Sequence, residues 1–417
     1  MLDYWMALKM EGSPKRKGSW LALSLVGNFA LLGWFKYTNF FLAESFALAK
    51  LMGYEPGPTP VLDILLPVGI SFYTFQSLSY TIDVYRGELK ARRSIHEFLM
   101  FVTFFPQLVA GPIVRASEFL HQLDRPVNLT WDRIRTGSQH FMVGFIKKVV
   151  IADRLSVLVD LYFSQHSHYG TLTAWFAVTA YALQIYGDFS GYSDMAIGLG
   201  HLFGYNLPEN FRRPYLARNV SEFWRRWHIS LSTWLRDYLY IPLGGNRLGS
   251  ARRWLNLWIT MLLGGLWHGA NTTFLAWGAL HGSYLVAHRL LTSDRLPGVW
   301  HSFLKILFAG NILNRLLTFV CVLVGWVFFR SSTMDQALDI LSQMFIWHPE
   351  EHPEYFPEGL LIIACVLFFH ILTEWKDMIL WVNRLPLIWK TGVYALFLMV
   401  IVLFGDIDVA PFIYFQF

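Results

Sequence analysis

The hydrophobic positions of this chain form long unbroken runs, which differ from the alternating or one-face patterns of a water-soluble fold. The first run covers residues 19–35 after a basic stretch, and the second covers residues 61–82 before a loop that contains Arg92 and Arg93. Runs of this length can cross a bilayer as helices. Because basic residues flank the start of the first run and the end of the second, the positive-inside rule predicts cytoplasmic flanks and an external loop over residues 38–60.

Further apolar stretches follow, and several are too short or too rich in glycine and proline for a simple crossing. They cover residues 98–114, 142–152, 172–203, 255–266, 273–291, 303–329, 360–372 and 391–404. Such pieces are typical of re-entrant or half-crossing helices, which need protein or a cavity around their backbone. We therefore predict an all-α, multi-pass integral membrane protein with roughly eight to eleven membrane segments, built as a single membrane-embedded domain over residues 1–417.

Composition narrows the class of protein further. The chain is 54% hydrophobic and only 15% charged, whereas soluble domains carry about 25% charged residues. This balance argues against a soluble enzyme, a disordered chain and a secreted disulfide scaffold. Cys321 and Cys365 lie in apolar runs without a Cys/His cluster, so we expect neither a disulfide framework nor a metal site. The net charge of +5 suits basic cytoplasmic loops, and nucleic-acid binding is not expected because it needs a solvated basic face.

The segment of residues 208–255 breaks the apolar pattern with arginine and tryptophan. It holds nine arginines, three acids and no lysine, a net charge of +6 against +5 for the whole chain. A guanidinium is a flat fork of donors that suits phosphate or carboxylate. The aromatic residues between these arginines favour amphipathic helices that lie at the membrane surface. Their arginines could hold a phosphate-bearing donor such as coenzyme A. An ordinary positive-inside loop is the alternative. The candidate donor-binding residues in this segment are Arg225, Arg226, Arg236 and Asp237.

Histidines and glycines mark the next candidate site. His268 lies in the apolar sequence LLGGLWHGAN of residues 262–271, where a histidine is costly unless it has a partner or a function. Taken alone, His268 is better interpreted as a buried structural histidine, but His228 and His281 lie nearby in the chain and favour a functional interpretation. A histidine is the natural general base at neutral pH. Trp267 and Asn271, which flank His268, are further candidates for donor binding.

Two carboxylates stand in an apolar stretch upstream of these histidines. The sequence DFSGYSDMAIG of residues 188–198 contains Asp188, Ser190 and Asp194. A hydrolase triad of aspartate, serine and histidine is one interpretation, but the chain has no G-x-S-x-G nucleophile elbow. Hydrogen bonding between helices is the favoured interpretation, so we predict structural or cavity-lining roles for all three residues.

Four sequences together carry a family resemblance. They are FFPQLVAGP at residues 104–112, DFSGYSDMAIG at 188–198, FWRRWHISLSTWLRDY at 223–238 and LLGGLWHGAN at 262–271. These sequences closely resemble membrane-bound O-acyltransferases, above all the bacterial alginate O-acetylase group, which also includes proteins that acetylate cellulose and peptidoglycan. A more distant relative performs teichoic-acid D-alanylation. The resemblance covers residues 32–417 and implies a helical fold around a central funnel or tunnel.

The resemblance also implies roles for particular residues. His268 matches the histidine taken as essential throughout the family, and His228 matches a second functional histidine of the bacterial branch, while His281 receives only a cavity-lining or structural role. Acetyl-CoA or another acyl thioester is the implied donor, used from the cytoplasmic side without a bound cofactor. The implied partner is a periplasmic esterase-like (SGNH) acetyltransferase that modifies the polysaccharide. Because chains of this group begin with a further hydrophobic stretch, a shortened N-terminus is also implied.

The last residues of the chain suggest an acyl relay. The spacing Phe412-x-Tyr414-x-x-Phe417 resembles the C-terminal motif of the small accessory peptide in teichoic-acid D-alanylation, where a tyrosine is thought to carry the acyl group. A phenol forms an acyl ester of high transfer energy. Tyr414 is therefore a candidate relay, and an aromatic anchor at the membrane interface is the alternative.

These observations predict an O-acetyltransferase of the bacterial inner membrane that serves an alginate-like exopolysaccharide. Cellulose or peptidoglycan is an alternative acceptor, and acylation of a protein or lipid is an alternative within the same family. An ion-coupled transporter is the alternative from another class, because broken helices with intramembrane aspartate and histidine suit transport. That alternative predicts an internal repeat of two halves, which the sequence does not show.

Overall fold

A computed structural model describes residues 1–108, 111–292, 311–349, 356–375, 378–405 and 412–413. These residues form helices and connecting loops without a β-strand, which confirms the all-α fold class. The α-helices are α1 (Leu2–Gly12), α2 (Lys17–Leu32), α3 (Thr38–Leu51), α4 (Ile70–Arg86), α5 (Ile95–Thr103), α6 (Phe105–Leu108), α7 (Ala116–Phe119), α8 (Trp131–Ile146), α9 (Asp153–Ser164), α10 (Thr171–Leu202), α11 (Val220–Arg226), α12 (Ile229–Leu235), α13 (Gly249–His268), α14 (Thr272–Leu291), α15 (Asn311–Arg330), α16 (Met334–Phe345), α17 (Phe356–Trp375), α18 (Met378–Arg384) and α19 (Leu387–Phe404).

Three stretches of helix in the described part of the chain are long and apolar enough to cross a membrane. They are Pro14–Leu51, Ile312–Arg330 and Leu387–Phe404. The last of these contains no buried residue, and its large apolar side chains, such as Val402, are mostly exposed. Exposed apolar surface on this scale indicates a helix that meets lipid.

The predicted external loop over residues 38–60 is wrong in its first half. Helix α2 continues through one π-helical turn, Gly33–Tyr37, directly into α3, so the chain stays helical as far as Leu51. The apolar run ends at Lys36 in the sequence, and that charge suggested the end of a membrane span. The structure instead gives Lys36 partners in another helix, described below, and the helix continues past it.

Helix α10 forms the centre of the described fold. It has 32 residues, which corresponds to a length of about 48 Å, and 22 of them are buried. Helix α8 lies along it so closely that a β-carbon on Gly144 would lie 2.3 Å from the carbonyl oxygen of Gly191. Glycine at this crossing lets the two backbones touch, as small residues do between membrane helices.

Helices α13 and α14 form a hairpin around the short connection at Gly269–Asn271. Gly265 and Gly278 face each other, and a β-carbon on Gly265 would lie 2.3 Å from the carbonyl oxygen of Phe274. Asn271 begins α14 as its N-cap, since its Oδ1 accepts a hydrogen bond from the backbone N–H of Thr273 at 3.1 Å. This tight hairpin fixes the position of His268 at the last residue of α13.

Candidate active site

His228 begins α12 in a conformation that non-glycine residues seldom adopt. Its φ is 42° and its ψ is 56°, in the left-handed region. Asn210 accounts for this geometry, because its backbone carbonyl accepts from the N–H of Ile229 at 2.9 Å and its Oδ1 accepts from the N–H of Ser230 at 3.2 Å. Both donors belong to the first turn of α12, where helical N–H groups lack partners in the helix. Backbone strain of this kind concentrates at functional sites.

The contacts of Asn210 also determine which nitrogen of His228 carries the proton. Because the backbone N–H of Ser230 can only donate, the Asn210 atom that it meets is an acceptor oxygen. The same Oδ1 lies 3.1 Å from His228 Nδ1, so Nδ1 is the protonated nitrogen. His228 Nε2 is buried and has no hydrogen-bond partner among the described residues. In the neutral ring it therefore carries a lone pair that can accept a proton.

His268 ends α13, and a lysine from another helix holds that end. Lys36 Nζ donates to the carbonyl oxygens of Trp267 at 2.7 Å and His268 at 2.9 Å, while the hydroxyl of Tyr37 donates to the carbonyl of Leu266 at 2.8 Å. The last carbonyls of a helix lack partners within it, and a cation there also meets the negative end of the helix dipole. Lys36 and Tyr37 thus fix the backbone of the predicted catalytic histidine.

Trp267 lies between the two predicted catalytic histidines. Its ring centroid is 6.2 Å from that of His228 and 5.0 Å from that of His268. Phe75 stacks on Trp267 with a centroid distance of 5.3 Å, and Phe72 meets it edge-on at 5.4 Å. His228 and Trp267 are almost fully buried, as is His268. The structure therefore brings His228, Trp267 and His268 into one buried, largely aromatic cluster, which is called the histidine pocket below.

His281 lies one aromatic ring further from this centre. The Trp277 ring separates the two histidines, with centroids 5.0 Å from His268 and 4.8 Å from His281. His281 is completely buried and stacks against Phe223. Neither of its ring nitrogens has a hydrogen-bond partner within the described part of the chain. The cavity-lining or structural role of His281 stays a prediction.

The carboxylates of α10 pair with lysines of the π-helical segment Lys147–Ala152. Lys147 lies 2.6 Å from Asp194, and Lys148 lies 2.8 Å from Asp188 and 2.7 Å from Asp153. Asp188 also accepts a hydrogen bond from the backbone N–H of Ile413 at 2.7 Å. Asp188 therefore anchors the C-terminal segment to the middle of α10. Ser190 is buried on the same helix. Among the described residues, neither Asp188 nor Ser190 nor Asp194 forms a hydrogen bond with His228 or His268.

The anchored C-terminal segment reaches the aromatic wall of the histidine pocket. Phe412 is buried, and its ring lies 5.3 Å from Tyr192 and 6.1 Å from Phe189. Phe189 in turn meets His228 edge-on at 4.6 Å. Tyr414, the candidate relay, lies outside the described residues. Phe412, two residues before Tyr414, is separated from His228 by the single ring of Phe189.

Arginines of the segment 208–255 are partly neutralised by nearby acids. Arg226 lies 2.6 Å from Glu222, and Asp237 lies 2.6 Å from Arg236 and 2.8 Å from Arg115. Burial alone would raise the pKa of Asp237, but hydrogen bonds from Arg236 and Arg115 outweigh it and hold the pKa below its usual range. Arg225 is exposed. Of the predicted donor-binding residues here, only Arg225 is left with an accessible guanidinium that forms no ion pair with another described residue.

Asn271 has a structural task in addition to its predicted one. Its Oδ1 caps α14, and its Nδ2 donates to the carbonyl of Ser332 at 2.9 Å.

Among the described residues, no group of three histidine, cysteine, aspartate or glutamate side chains is arranged to hold a metal ion.

Sequence reasoning missed Asn210 and Lys36. Lys36 gave a signal, because a lysine inside a long apolar helix is costly and points to a partner or a function. Asn210 gave none, since its contacts with Ser193 of α10 and with His228 depend on segments that meet only in the folded chain.

Comparison with known proteins places these residues in a family. The model of the membrane-bound O-acyltransferase family matches residues 37–322. The probable alginate O-acetylase AlgI of Pseudomonas syringae pv. tomato is 46% identical over 346 residues, which are 82% of this chain and 64% of that protein. The protein of the same name from Pseudomonas aeruginosa is 43% identical over 378 residues, 89% of this chain and 70% of that protein.

A relative named for a different activity is also similar to this chain. The peptidoglycan O-acetyltransferase of Helicobacter pylori is 40% identical over 373 residues, covering 82% of this chain and 68% of that protein. The chain thus spans about two thirds of the length of the curated relatives it matches. The region that the family model matches, residues 37–322, includes Tyr37, His228, His268 and the whole α13–α14 hairpin.

Proposed function

Because the chain belongs to the membrane-bound O-acyltransferase family, we propose that it transfers an acetyl group from a cytoplasmic acyl thioester, acetyl-CoA, to a hydroxyl group. The acetyl group then serves O-acetylation of an alginate-like exopolysaccharide outside the bacterial inner membrane. The identity to the alginate O-acetylases, 43–46% against 40% for the peptidoglycan O-acetyltransferase, favours this acceptor over peptidoglycan. The observation that carries the proposal is the enclosed pair of histidines, His228 and His268, on either side of Trp267.

The proposed chemistry is a general-base acyl transfer at His268. The hydroxyl oxygen of the acceptor forms a bond to the acetyl carbonyl carbon, and the carbon–sulfur bond of the thioester breaks. His268 takes the hydroxyl proton and returns it to the leaving thiolate, so the products are an ester and a free thiol. The almost complete burial of His268 supports this role, because exclusion of water protects the thioester from hydrolysis.

The proton position on His228 bears on its role in this step. A neutral ring with its proton on Nδ1 presents an acceptor at Nε2, which cannot donate a hydrogen bond to a developing oxyanion. We therefore assign His228 to orienting the hydrogen of the acceptor hydroxyl or of the thiol. Oxyanion stabilisation then falls to backbone N–H groups near the Gly269 connection.

The relay proposal places Tyr414 as the first acceptor. Asp188 and the buried side chain of Phe412 hold the preceding residues against the wall of the histidine pocket. A tyrosyl acetyl ester formed there retains enough transfer energy for a second step. In that step a periplasmic esterase-like partner moves the acetyl group from Tyr414 to the polysaccharide.

Variants at His268 and His281 test the proposed function. In a strain that lacks the native gene and carries the partner, His268→Ala should abolish polysaccharide acetylation while membrane expression stays normal. His281→Gln, at a buried histidine outside the reaction, should keep most of the acetylation when it is expressed at the same level. Full acetylation with His268→Ala would rule out the mechanism. Tyr414→Phe removes one oxygen only, so unchanged acetylation in that variant would rule out the relay alone.

A further inference from the structure

A cleft of about 650 Å³ lies apart from the histidine pocket. The loop between α7 and α8 forms one wall, and the loop that follows α10 forms the other. Gln122 fastens the two loops, because its Nε2 donates to the carbonyl of Asn206 at 3.0 Å and its Oε1 accepts from the N–H of Asn206 at 2.8 Å. Since both walls are tied together, the cleft is a preformed site with a volume typical of small-molecule pockets.

Basic side chains line this cleft. His121, Arg125 and Arg133 contribute to its surface. Neither arginine forms an ion pair with another described residue, and Arg133 Nη1 is buried without a hydrogen-bond partner in that part of the chain. Glu118, an acid that also lines the cleft, already accepts a hydrogen bond from the backbone N–H of Arg115. The arginines of the cleft thus differ from Arg226 and Arg236, whose charges are neutralised by neighbouring acids.

The cleft lies on the side of the membrane where the donor is expected. Arg92 donates to the carbonyl of Leu120 at 2.8 Å and pairs with Asp124, so the basic loop after α4 lies against the wall of the cleft. The positive-inside rule predicts that this basic loop is cytoplasmic. The loop that closes the cleft from the other side, residues 204–208, therefore faces the cytoplasm as well.

The cleft is connected to the histidine pocket through a short piece of backbone. Leu207 lines the cleft, and Asn210, three residues later, holds the Nδ1 nitrogen of His228. Three residues span at most about 11 Å. A donor with its anionic end in the cleft therefore needs only a short flexible arm to span the distance to His228.

We propose that the cleft binds the phosphate groups of the acyl-thioester donor, with Arg125 and Arg133 as their ligands. Guanidinium groups recognise phosphate through paired, charge-assisted hydrogen bonds. This inference rests on the proposed function for the identity of the ligand, a phosphorylated nucleotide with a thioester arm. It moves the main phosphate contacts from the segment of residues 208–255, where Arg226 and Arg236 are paired with acids, to two arginines that form no ion pair among the described residues.

Donors with and without phosphate test this inference. The purified protein in phosphatidylcholine nanodiscs is assayed with acetyl-CoA and with acetyl-pantetheine, which carries the same thioester without phosphates. The double variant Arg125→Gln/Arg133→Gln should raise KM for acetyl-CoA about tenfold or more, the loss expected for charge-assisted hydrogen bonds, and leave KM for acetyl-pantetheine unchanged. The matched control is Arg135→Gln, because Arg135 lies on the same helix, is exposed and pairs with Asp132 outside the cleft.

Direct binding separates this inference from the proposed function. Calorimetry with coenzyme A itself needs no acetyl transfer, and the double variant should weaken its binding by the same factor. The exposed Arg125→Gln alone should show part of the effect if the double variant folds poorly. Unchanged affinity in both variants, or an equal rise of KM for both donors, would overturn the cleft assignment. Loss of coenzyme A binding when phosphatidylglycerol is added would instead assign the cleft to a lipid headgroup. An inactive wild-type protein that still binds coenzyme A through these arginines would contradict only the proposed function.

Discussion

Replacing Asn210 with alanine should disable His228 without touching it. The substitution removes the oxygen that accepts from His228 Nδ1 at 3.1 Å, from Ser230 Oγ at 2.8 Å and from the N–H of Ser230 at 3.2 Å. Each neutral hydrogen bond contributes about 1 kcal/mol, and a buried donor left without a partner costs about 1–3 kcal/mol. We therefore expect a loss of about 2–4 kcal/mol in stability.

The larger effect of Asn210→Ala should be on the rate of acetyl transfer. Once Oδ1 is gone, His228 is free to move its proton to Nε2 and to turn its ring, while the backbone hydrogen bond from Ile229 to Asn210 remains. A catalytic imidazole in the wrong tautomer loses orders of magnitude in rate, and a reduction in kcat of about 100-fold or more is expected here by analogy with catalytic triads. KM for the donor should change little, since Asn210 does not line the proposed donor cleft.

The assay is single-turnover acetyl transfer by purified protein at matched folded concentration, judged by its thermal melting. Ser193→Ala is the control, because Ser193 bonds only the Nδ2 side of Asn210 at 3.1 Å and leaves the oxygen on His228 in place. It should keep kcat within about threefold, the range of one weak neutral hydrogen bond. If Asn210→Ala and Ser193→Ala lowered kcat equally, the tautomer of His228 would have no part in the reaction.

Three further predictions concern the supports of the site. Lys36→Met should lower the rate of acetyl transfer at least about tenfold, since it removes two charge-assisted hydrogen bonds from the end of α13. The control Lys50→Met, on the exposed face of α3, should have no effect. Equal activities of the two variants would refute the positioning role of Lys36. Gly265→Ala should lower the melting temperature through about 1–3 kcal/mol of overpacking against α14, and Gly392→Ala, which meets no atom within 4 Å, should melt like the wild type. Burial alone would raise the pKa of Glu222, but the neighbouring arginines outweigh it and hold the pKa below its usual range. The stabilising contribution of the Glu222 carboxylate should therefore be complete above the ordinary glutamate pKa of about 4.3. It should disappear as the pH falls through the lower pKa of the folded protein. Glu222→Gln should flatten that part of the pH–stability curve, and an unchanged curve would contradict the assignment.

The sequence predicted much of the site because its chemistry is costly in an apolar chain. His268 stood out as an imidazole within a hydrophobic run, and the structure places it with His228 around the ring of Trp267. The helices were also predictable from their apolar length, as α14 shows: the predicted run of residues 273–291 matches Thr272–Leu291. For this helix, the local composition was sufficient to predict the bounds.

Tertiary contacts decided the parts that the sequence could not predict. A charge at Lys36 indicated the end of a span, but the carbonyls of α13 accept its hydrogen bonds and the helix continues to Leu51. The arginines of residues 208–255 suggested a free phosphate site, although the spacing of Glu222 four residues before Arg226 already indicated an ion pair. Neither the proton position on His228 nor the cleft at Arg133 has a local signal, because both arise where distant loops meet.

Acetyl transfer by the purified protein tests the central claim most directly. The wild-type protein, incubated in nanodiscs with acetyl-CoA labelled in the acetyl group, should release coenzyme A and become labelled itself, with the label mapped to Tyr414 by peptide sequencing. His268→Gln, of equal stability and with donor binding intact, should show neither release nor label. Label on the protein at a normal rate in His268→Gln would contradict the account of this chain as an acyltransferase that acts through the His228–Trp267–His268 pocket.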